Sequence, residues 1–193
     1  MELLKERIRK EGKILPGNIV KVDGFLNHRI DVPLMEQIAQ EFRRVFAGKD
    51  ITLVLTAEAS GIALALAAAH FLDDIPVVFA KKSPAANQSA DMLTAVAHSF
   101  THGNDNALRV DRRYLPAGSR VLVVDDFLAD GEASRALISI VEQAGCTLVG
   151  VGIAVEKGFQ PGGRKLREAG VNLKSLAIVT SIQDGRIQLA DDD

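Results

Sequence analysis

The sequence holds one cysteine, Cys146, so an intrachain disulfide is excluded and a reducing compartment fits. It has almost no charge excess: 23 Lys and Arg stand against 25 Asp and Glu, a net charge of −2. No bulk basic field is there to recruit nucleic acid or an anionic membrane surface. No apolar run reaches the roughly 20 residues needed to cross a bilayer. Residues 1–11 are charged throughout and lack the apolar core of a secretory signal. A cytoplasmic protein is expected, with no membrane and no nucleic-acid partner. Repeats, low-complexity tracts and interdomain linkers are missing as well. His28, His70, His98 and His102 have no metal-ligand spacing, and no Ser/His/Asp or Cys/His set for covalent catalysis is evident. What remains is an ordinary globular composition, 47% apolar and 25% charged, in a chain long enough for one domain with a sizeable core.

One stretch organises the rest. Val121, Leu122, Val123 and Val124 run into two adjacent carboxylates, Asp125 and Asp126. A loop containing Gly131 follows, then a helical pattern with Ala133, Leu137, Ile140, Val141 and Ala144 on one face, ended by Gly145. The order is strand, acidic tip, tight loop, helix N-terminus. In open α/β sheets, ligands sit at the carboxyl ends of strands. The free N–H groups of a helix N-terminus hold anions. Carboxylates beside an anion site suit a ligand with hydroxyls or a metal at one end and a phosphate at the other, which describes a sugar phosphate.

The remaining segments frame this one. Residues 51–56 and 76–80 are β-rich runs around an Ala/Leu/Ile-rich stretch, 62–72, that reads as a buried helix; together they predict a right-handed βαβ unit. Residues 148–156 read as a fourth buried strand. The core is then doubly wound α/β, with strand ends at Thr56, Ala80, Asp125/Asp126 and Lys157 converging on one sheet edge. Asp31 reads as the N-cap of a helix with Pro33 in its first turn and Leu34, Ile38, Phe42, Val45 and Phe46 on one face. Leu3, Leu4 and Ile8 predict a short amphipathic helix stopped by Gly12. Residues 19–22 predict a short strand, and 25–31 a loop. Residues 83–90 are small, polar and without period, and a lid over 83–99 is expected. A strand at 93–100, a turn at 104–106 and a strand at 108–110 follow. Residues 161–169 predict a short helix, and 173–182 with 187–189 predict strands about the turn Asp184-Gly185. The last strands and the N-terminal segment are read as breaking the βα alternation. They are expected to form a small hood, about residues 1–32 and 173–193, on a single domain spanning 1–193.

Residues 121–133 resemble the phosphoribosyl-diphosphate signature of type I phosphoribosyltransferases: a hydrophobic strand, two acids, then a phosphate loop. Thr56-Ala57-Glu58-Ala59-Ser60-Gly61 resembles that family's diphosphate loop, and Phe79-Ala80-Lys81-Lys82 its next strand end. Within the family, Lys21-Val22-Asp23-Gly24-Phe25-Leu26-Asn27-His28, Val124-Asp125-Asp126-Phe127-Leu128-Ala129 and Val155-Glu156-Lys157-Gly158-Phe159-Gln160-Pro161-Gly162 are most similar to bacterial members that use xanthine. The resemblance implies the type I fold, a mostly parallel sheet flanked by helices with the small hood. It implies the reaction of xanthine with 5-phospho-α-D-ribose 1-diphosphate (PRPP) to give xanthosine 5′-monophosphate and diphosphate. It also implies Mg²⁺ and a homodimer. Asp125 and Asp126 would accept hydrogen bonds from the ribose hydroxyls, directly or through Mg²⁺ and water. Ala129, Asp130, Gly131, Glu132 and Ala133 would hold the 5′-phosphate. Glu58, Ala59, Ser60 and Gly61 would bind the diphosphate, with Lys81 and Lys82 neutralising it as it leaves. Val20, Asn27 and Lys157 would bind the base, with Phe127 and Phe159 as candidates to pack on its face.

The departures from the family pattern carry their own information. The usual pattern has threonines where Asp130 and Ala133 stand, so backbone N–H groups must dominate the phosphate contact, and Asp130 and Glu132 are expected to point outward. Related hypoxanthine/guanine enzymes place a third acid where Ala129 stands. Its absence suits xanthine, which enters partly as an anion, with Lys157 favouring the charged form. Hypoxanthine/guanine or adenine transfer, and a purine-responsive regulator on the same fold, are the competing readings.

Overall fold

The computed structural model describes residues 1–17, 19–83, 91–98, 105–183 and 185–190. The chain opens with helix α1 (Glu2–Glu11), closed by Gly12, whose N–H donates to the Ile8 carbonyl. Leu4 and Ile8 are fully buried while Leu3 is left exposed, so the apolar stripe is narrower than the sequence implies. Strands β1 (Lys13–Leu15) and β2 (Ile19–Lys21) form a small antiparallel hairpin about the Pro16-Gly17 turn. Sequence reasoning finds β2 and misses β1, which is only three residues long.

Helix α2 (Val32–Val45) begins where its chemistry dictates. Asp31 accepts a hydrogen bond from the Leu34 N–H at 3.1 Å, and Pro33 occupies the first turn, where an N–H is dispensable. Strand β3 (Leu53–Ala57), helix α3 (Gly61–Phe71) and strand β4 (Val77–Ala80) form the expected parallel βαβ unit. The helix is not buried all round. Leu66 is 64% exposed, so the apolar run of 62–72 carries a solvent-facing side that periodicity could not reveal in an all-apolar segment.

Strands β5 (Met92–His98) and β6 (Asp105–Asp111) pair antiparallel as a two-stranded arm apart from the main sheet. One expectation changes here: Asp105 and Asn106 lie in β6, not in a turn, whereas β5 agrees with the strand expected at 93–100 as far as the described residues reach. Of the expected lid, residues 84–90 and 99 lie outside the described residues, as do Phe100, Asn104 and Asp184. Past a short 3₁₀ turn (Arg112–Tyr114) come strand β7 (Arg120–Leu128), helix α4 (Glu132–Gln143), strand β8 (Thr147–Lys157), helix α5 (Gly162–Glu168), and strands β9 (Leu173–Gln183) and β10 (Arg186–Leu189). β7 does not stop at the acids: it runs on to Leu128, so Asp125 and Asp126 are strand residues with backbone geometry fixed by the sheet.

The main sheet has the order β10-β9-β8-β7-β3-β4, parallel except for β10. The C-terminal strands thus continue the main sheet, and α5 is the short crossover that keeps β9 parallel to β8. The N-terminal segment packs against that end of the sheet, with the Met1 ammonium donating to the Leu176 carbonyl at 2.6 Å. β7 shows how the core is divided. Leu122 and Val124 face one layer with Leu4, Ile38, Phe42 and Leu64, while Val121 and Val123 face the other with Leu93, Leu108, Leu137 and Ile140. Period-two alternation in an all-apolar run serves both faces at once. Each fully buried aliphatic side chain contributes about 1.5–3 kcal/mol.

Candidate active site

The strand order reverses between β3 and β7: β4 follows β3 to one side, and β8 and β9 follow β7 to the other. Ligands of open α/β sheets bind in the crevice outside the carboxyl ends at such a point. A cavity of about 260 Å³ lies there. One wall comes from Glu58 and Ser60 of the β3–α3 loop and from Lys82 just past β4, the floor from Asp125, Asp126 and Phe127, and the far wall from 129–134 at the start of α4.

Asp126 is the hub. Its carboxylate accepts the Ser60 hydroxyl at 3.0 Å and the Asn27 side-chain amide at 2.7 Å, partners 66 and 99 residues away in the chain. Its own N–H donates to Asp125 Oδ1 at 3.0 Å. Asp125 is 8% exposed. Burial first, and then the adjacent Asp126 charge, pushes its carboxyl well above the usual carboxylate range, with the Asp126 N–H and Lys82 opposing. Two neighbouring carboxyls thus differ in surroundings: Asp126 is clasped by donors, and Asp125 is buried with its carboxyl raised. Gly61 makes this packing possible. A Cβ there would lie 2.1 Å from Thr56 Oγ1 and 2.9 Å from Asp125 Oδ1, so only glycine lets α3 start against the acid.

The β3–α3 loop has a cis peptide between Glu58 and Ala59. Glu58 accepts the Lys82 N–H at 2.6 Å, joining this loop to the end of β4. Of the two lysines, Lys82 lines the cavity, while Lys81 pairs through its backbone with Arg109 of β6. The Arg109 guanidinium donates to the Lys82 carbonyl at 3.0 Å, a contact no sequence signal points to.

At the α4 end, Gly131 is the N-cap with φ +84°, a left-handed conformation that favours glycine. No side chain caps the helix, so its first N–H groups remain available beside the cavity. Asp130 and Glu132 are among the residues that line the cavity. Glu132 forms an ion pair with Arg135 that offsets its charge beside the anion site. Ser134, buried in the first helical turn and also lining the cavity, is a hydroxyl that sequence reasoning passed over.

The residues expected to bind the base are placed unevenly. The Lys157 ammonium sits over the Phe127 ring, 5.6 Å from its centroid, which puts cation and aromatic face together beside the acidic floor. Phe159 is 39% exposed in the loop before α5. Val20 packs its side chain into the core, leaving only its backbone for a ligand. Asn27, free to read a base in the sequence analysis, is engaged by Asp126. Sequence reasoning missed Glu156, a buried carboxylate that accepts two hydrogen bonds from Arg167 at 2.8 and 2.7 Å and one from Ser175. The available signal was a lone acid inside an otherwise apolar strand.

Comparison with known proteins agrees with this geometry. Residues 23–184 match the family model of the phosphoribosyl transferase domain. The chain is 48% identical over 187 residues to the xanthine phosphoribosyltransferase 1 of Clostridium perfringens, covering 97% of this chain and 98% of that protein. It is 49% identical over 187 residues to the xanthine phosphoribosyltransferase of Laribacter hongkongensis, with the same coverage. The adenine phosphoribosyltransferase structure from Rhodothermus marinus superposes with a TM-score of 0.76 at 22% identity, covering 93% of this chain and 100% of that one; this is a likeness of fold. A parallel sheet flanked by helices, an acidic strand at its switch point and an uncapped helix beyond it agree with the sequence match: the chain belongs to the phosphoribosyl transferase family.

Proposed function

We propose that the chain transfers the phosphoribosyl group of PRPP to xanthine, releasing diphosphate and forming xanthosine 5′-monophosphate. The observation that carries this is the cavity at the switch point. It offers an anion site at the uncapped start of α4, donors and a lysine in the β3–α3 and β4 loops, and the Asp125–Asp126 floor between them. Relatives at 45–49% identity over almost the whole chain are xanthine phosphoribosyltransferases, which supports the choice of base.

In this reading, N–H groups of Gly131, Glu132 and Ala133 hold the 5′-phosphate, and Asp125 and Asp126 hold the ribose hydroxyls. Glu58, Ala59, Ser60 and Gly61 position the diphosphate with Lys81 and Lys82. The C1–oxygen bond of PRPP breaks with its electron pair going to diphosphate, and Lys82 offsets the charge that develops there. A purine nitrogen forms the new bond to C1 through an oxocarbenium-like state, and its proton passes to solvent. Lys157 and Asn27 orient the base, and Phe127 and Phe159 flank its face. The chain mainly positions reactants and screens charge.

Mg²⁺ suits this donor set. Asp125 and Asp126 are hard oxygen donors, and no group of three His, Cys, Asp or Glu gathers among the described residues. One or two carboxylates with substrate phosphates is the usual Mg²⁺ arrangement. When bound, the ion supplies charge neutralisation to the diphosphate.

The same reading includes one working domain in a cytoplasmic homodimer. No helix among the described residues is long and apolar enough to cross a membrane. The deciding experiment is diphosphate release from PRPP with xanthine, guanine, hypoxanthine and adenine in turn. Xanthine should be the preferred base. Preference for another purine overturns the substrate assignment, and no release with any base together with tight nucleic-acid binding favours the regulator.

A further inference from the structure

Helix α5 lies between the two halves of the site. Its first turn and its last turn both rest on Glu156. A Cβ on Gly163 would lie 1.9 Å from Glu156 Oε1, so the helix starts directly over that carboxylate. Arg167, in the last turn, grips the same carboxylate with two nitrogens, and Ser175 of β9 donates to it from the strand side. The Glu156 side chain is 3% exposed and that of Arg167 is 42% exposed, so a buried acid is held by a half-open cation. The first residue of α5 meets the loop before α4. The Gly162 N–H donates to the Ala129 carbonyl at 3.1 Å. A Cβ on Gly162 would lie 2.3 Å from that oxygen and 2.6 Å from the Gly131 nitrogen. A Cβ on Gly131 would lie 3.0 Å from the Gly162 Cα. Backbone meets backbone there with no side chain between.

Glu156 also immediately precedes Lys157, whose ammonium lies over Phe127. One carboxylate therefore anchors the strand end that presents Lys157 and the helix that supports residues 129–131. A seven-residue helix has little other hold: Leu166 is its one buried large apolar side chain.

We propose that Glu156 and Arg167 are positioning residues. Through α5 they hold the Ala129–Gly131 backbone in the conformation that receives the 5′-phosphate, in register with the Lys157 side of the site. This rests on the assignment of that loop to the 5′-phosphate under the proposed function. A merely stabilising ion pair would lower melting temperature and leave ligand affinity alone. A positioning pair changes the affinity of a ligand that touches neither residue, and small displacements in a phosphate cradle are amplified in binding and rate.

The test uses ribose 5-phosphate as the probe, titrated by calorimetry into the wild-type protein and into Arg167→Met, Arg167→Lys, Glu156→Gln and Gly162→Ala. Arg167→Met and Glu156→Gln should weaken binding about tenfold or more, and KM for PRPP should rise by a larger factor than kcat falls. Arg167→Lys should recover only part of the loss, because a point charge cannot reproduce the two-nitrogen fork. Gly162→Ala leaves the ion pair intact and wedges α5 from the loop, so it should show the same loss even where an ion-pair variant fails to fold. Affinity unchanged in the folded variants, with only the melting temperature reduced, overturns the proposal. Wild-type protein that does not bind ribose 5-phosphate overturns the loop assignment itself, a separate failure read before any variant is made.

Discussion

Asp126 is held by its neighbours before any substrate arrives, and the two acids at this strand end are not equivalent. Asp126→Asn keeps the shape and removes the charge that Ser60 and Asn27 donate to. It should lower kcat/KM about a hundredfold, roughly 2.7 kcal/mol at the transition state, in a steady-state diphosphate-release assay. Asp125 behaves differently because its carboxyl is raised by burial and by Asp126. The folded state holds the proton longer than the unfolded chain. The group therefore costs no stability below its ordinary value of 3.8 and progressively destabilises the ligand-free, metal-free fold as pH rises above that. Asp125→Asn removes this dependence, so the melting temperature of the variant should gain on that of the wild type as pH rises from about 4 toward neutrality. A constant offset across that range would mean that Asp125 is already ionised. Ala129→Asp, which adds a third acid beside the floor, should reduce xanthine turnover; an increase would sink the idea that the base enters as an anion. Residue types at this site were legible because strand, acids, glycine and helix are contiguous. The Asn27 and Ser60 contacts with Asp126 were not, since no local pattern records a hydrogen bond across 66 or 99 residues.

At the scale of elements, the start of α3 shows how tightly the loops are built. Gly61→Ala puts a methyl into Thr56 and Asp125, both of which are buried. A cost of about 1–3 kcal/mol is expected from such overpacking, read as a lower urea midpoint at unchanged m-value. A neutral effect would show that α3 can shift its first turn freely. Helices with a cap and a period, such as α2 with Asp31 and Pro33, were readable from sequence. The status of β9 and β10 was not. Their strand character is plain, but α5 is so short that sequence pattern alone does not mark β8–α5–β9 as another crossover. In the same way the acids of β7 looked like a tip because polar residues in a strand usually mark its end. Here pairing with β8 as far as Leu128 carries the strand through them.

At the scale of the whole molecule, the proposed homodimer has a surface feature by which to check it. Leu66 on α3 is the most exposed of the large apolar side chains among the described residues. Sedimentation equilibrium should report a dimer, and Leu66→Asp should shift it toward monomer if this face is covered; a monomeric wild-type protein rules out the dimer.

The reversal of strand order has a further consequence, for how the protein acquires activity. β3 and β7 are neighbours in the sheet although helix α3, strand β4 and the two-stranded arm lie between them in the chain. Non-local parallel pairing is slow, because chain entropy is lost before contacts compensate it. Ser60 and Asp126, 66 residues apart, meet only when that pairing is made. Refolding followed by ribose 5-phosphate binding should therefore regain affinity with the slowest phase that restores the sheet, while helical signal returns earlier. Newly made chains would then pass through a compact, helix-containing stage that binds nothing.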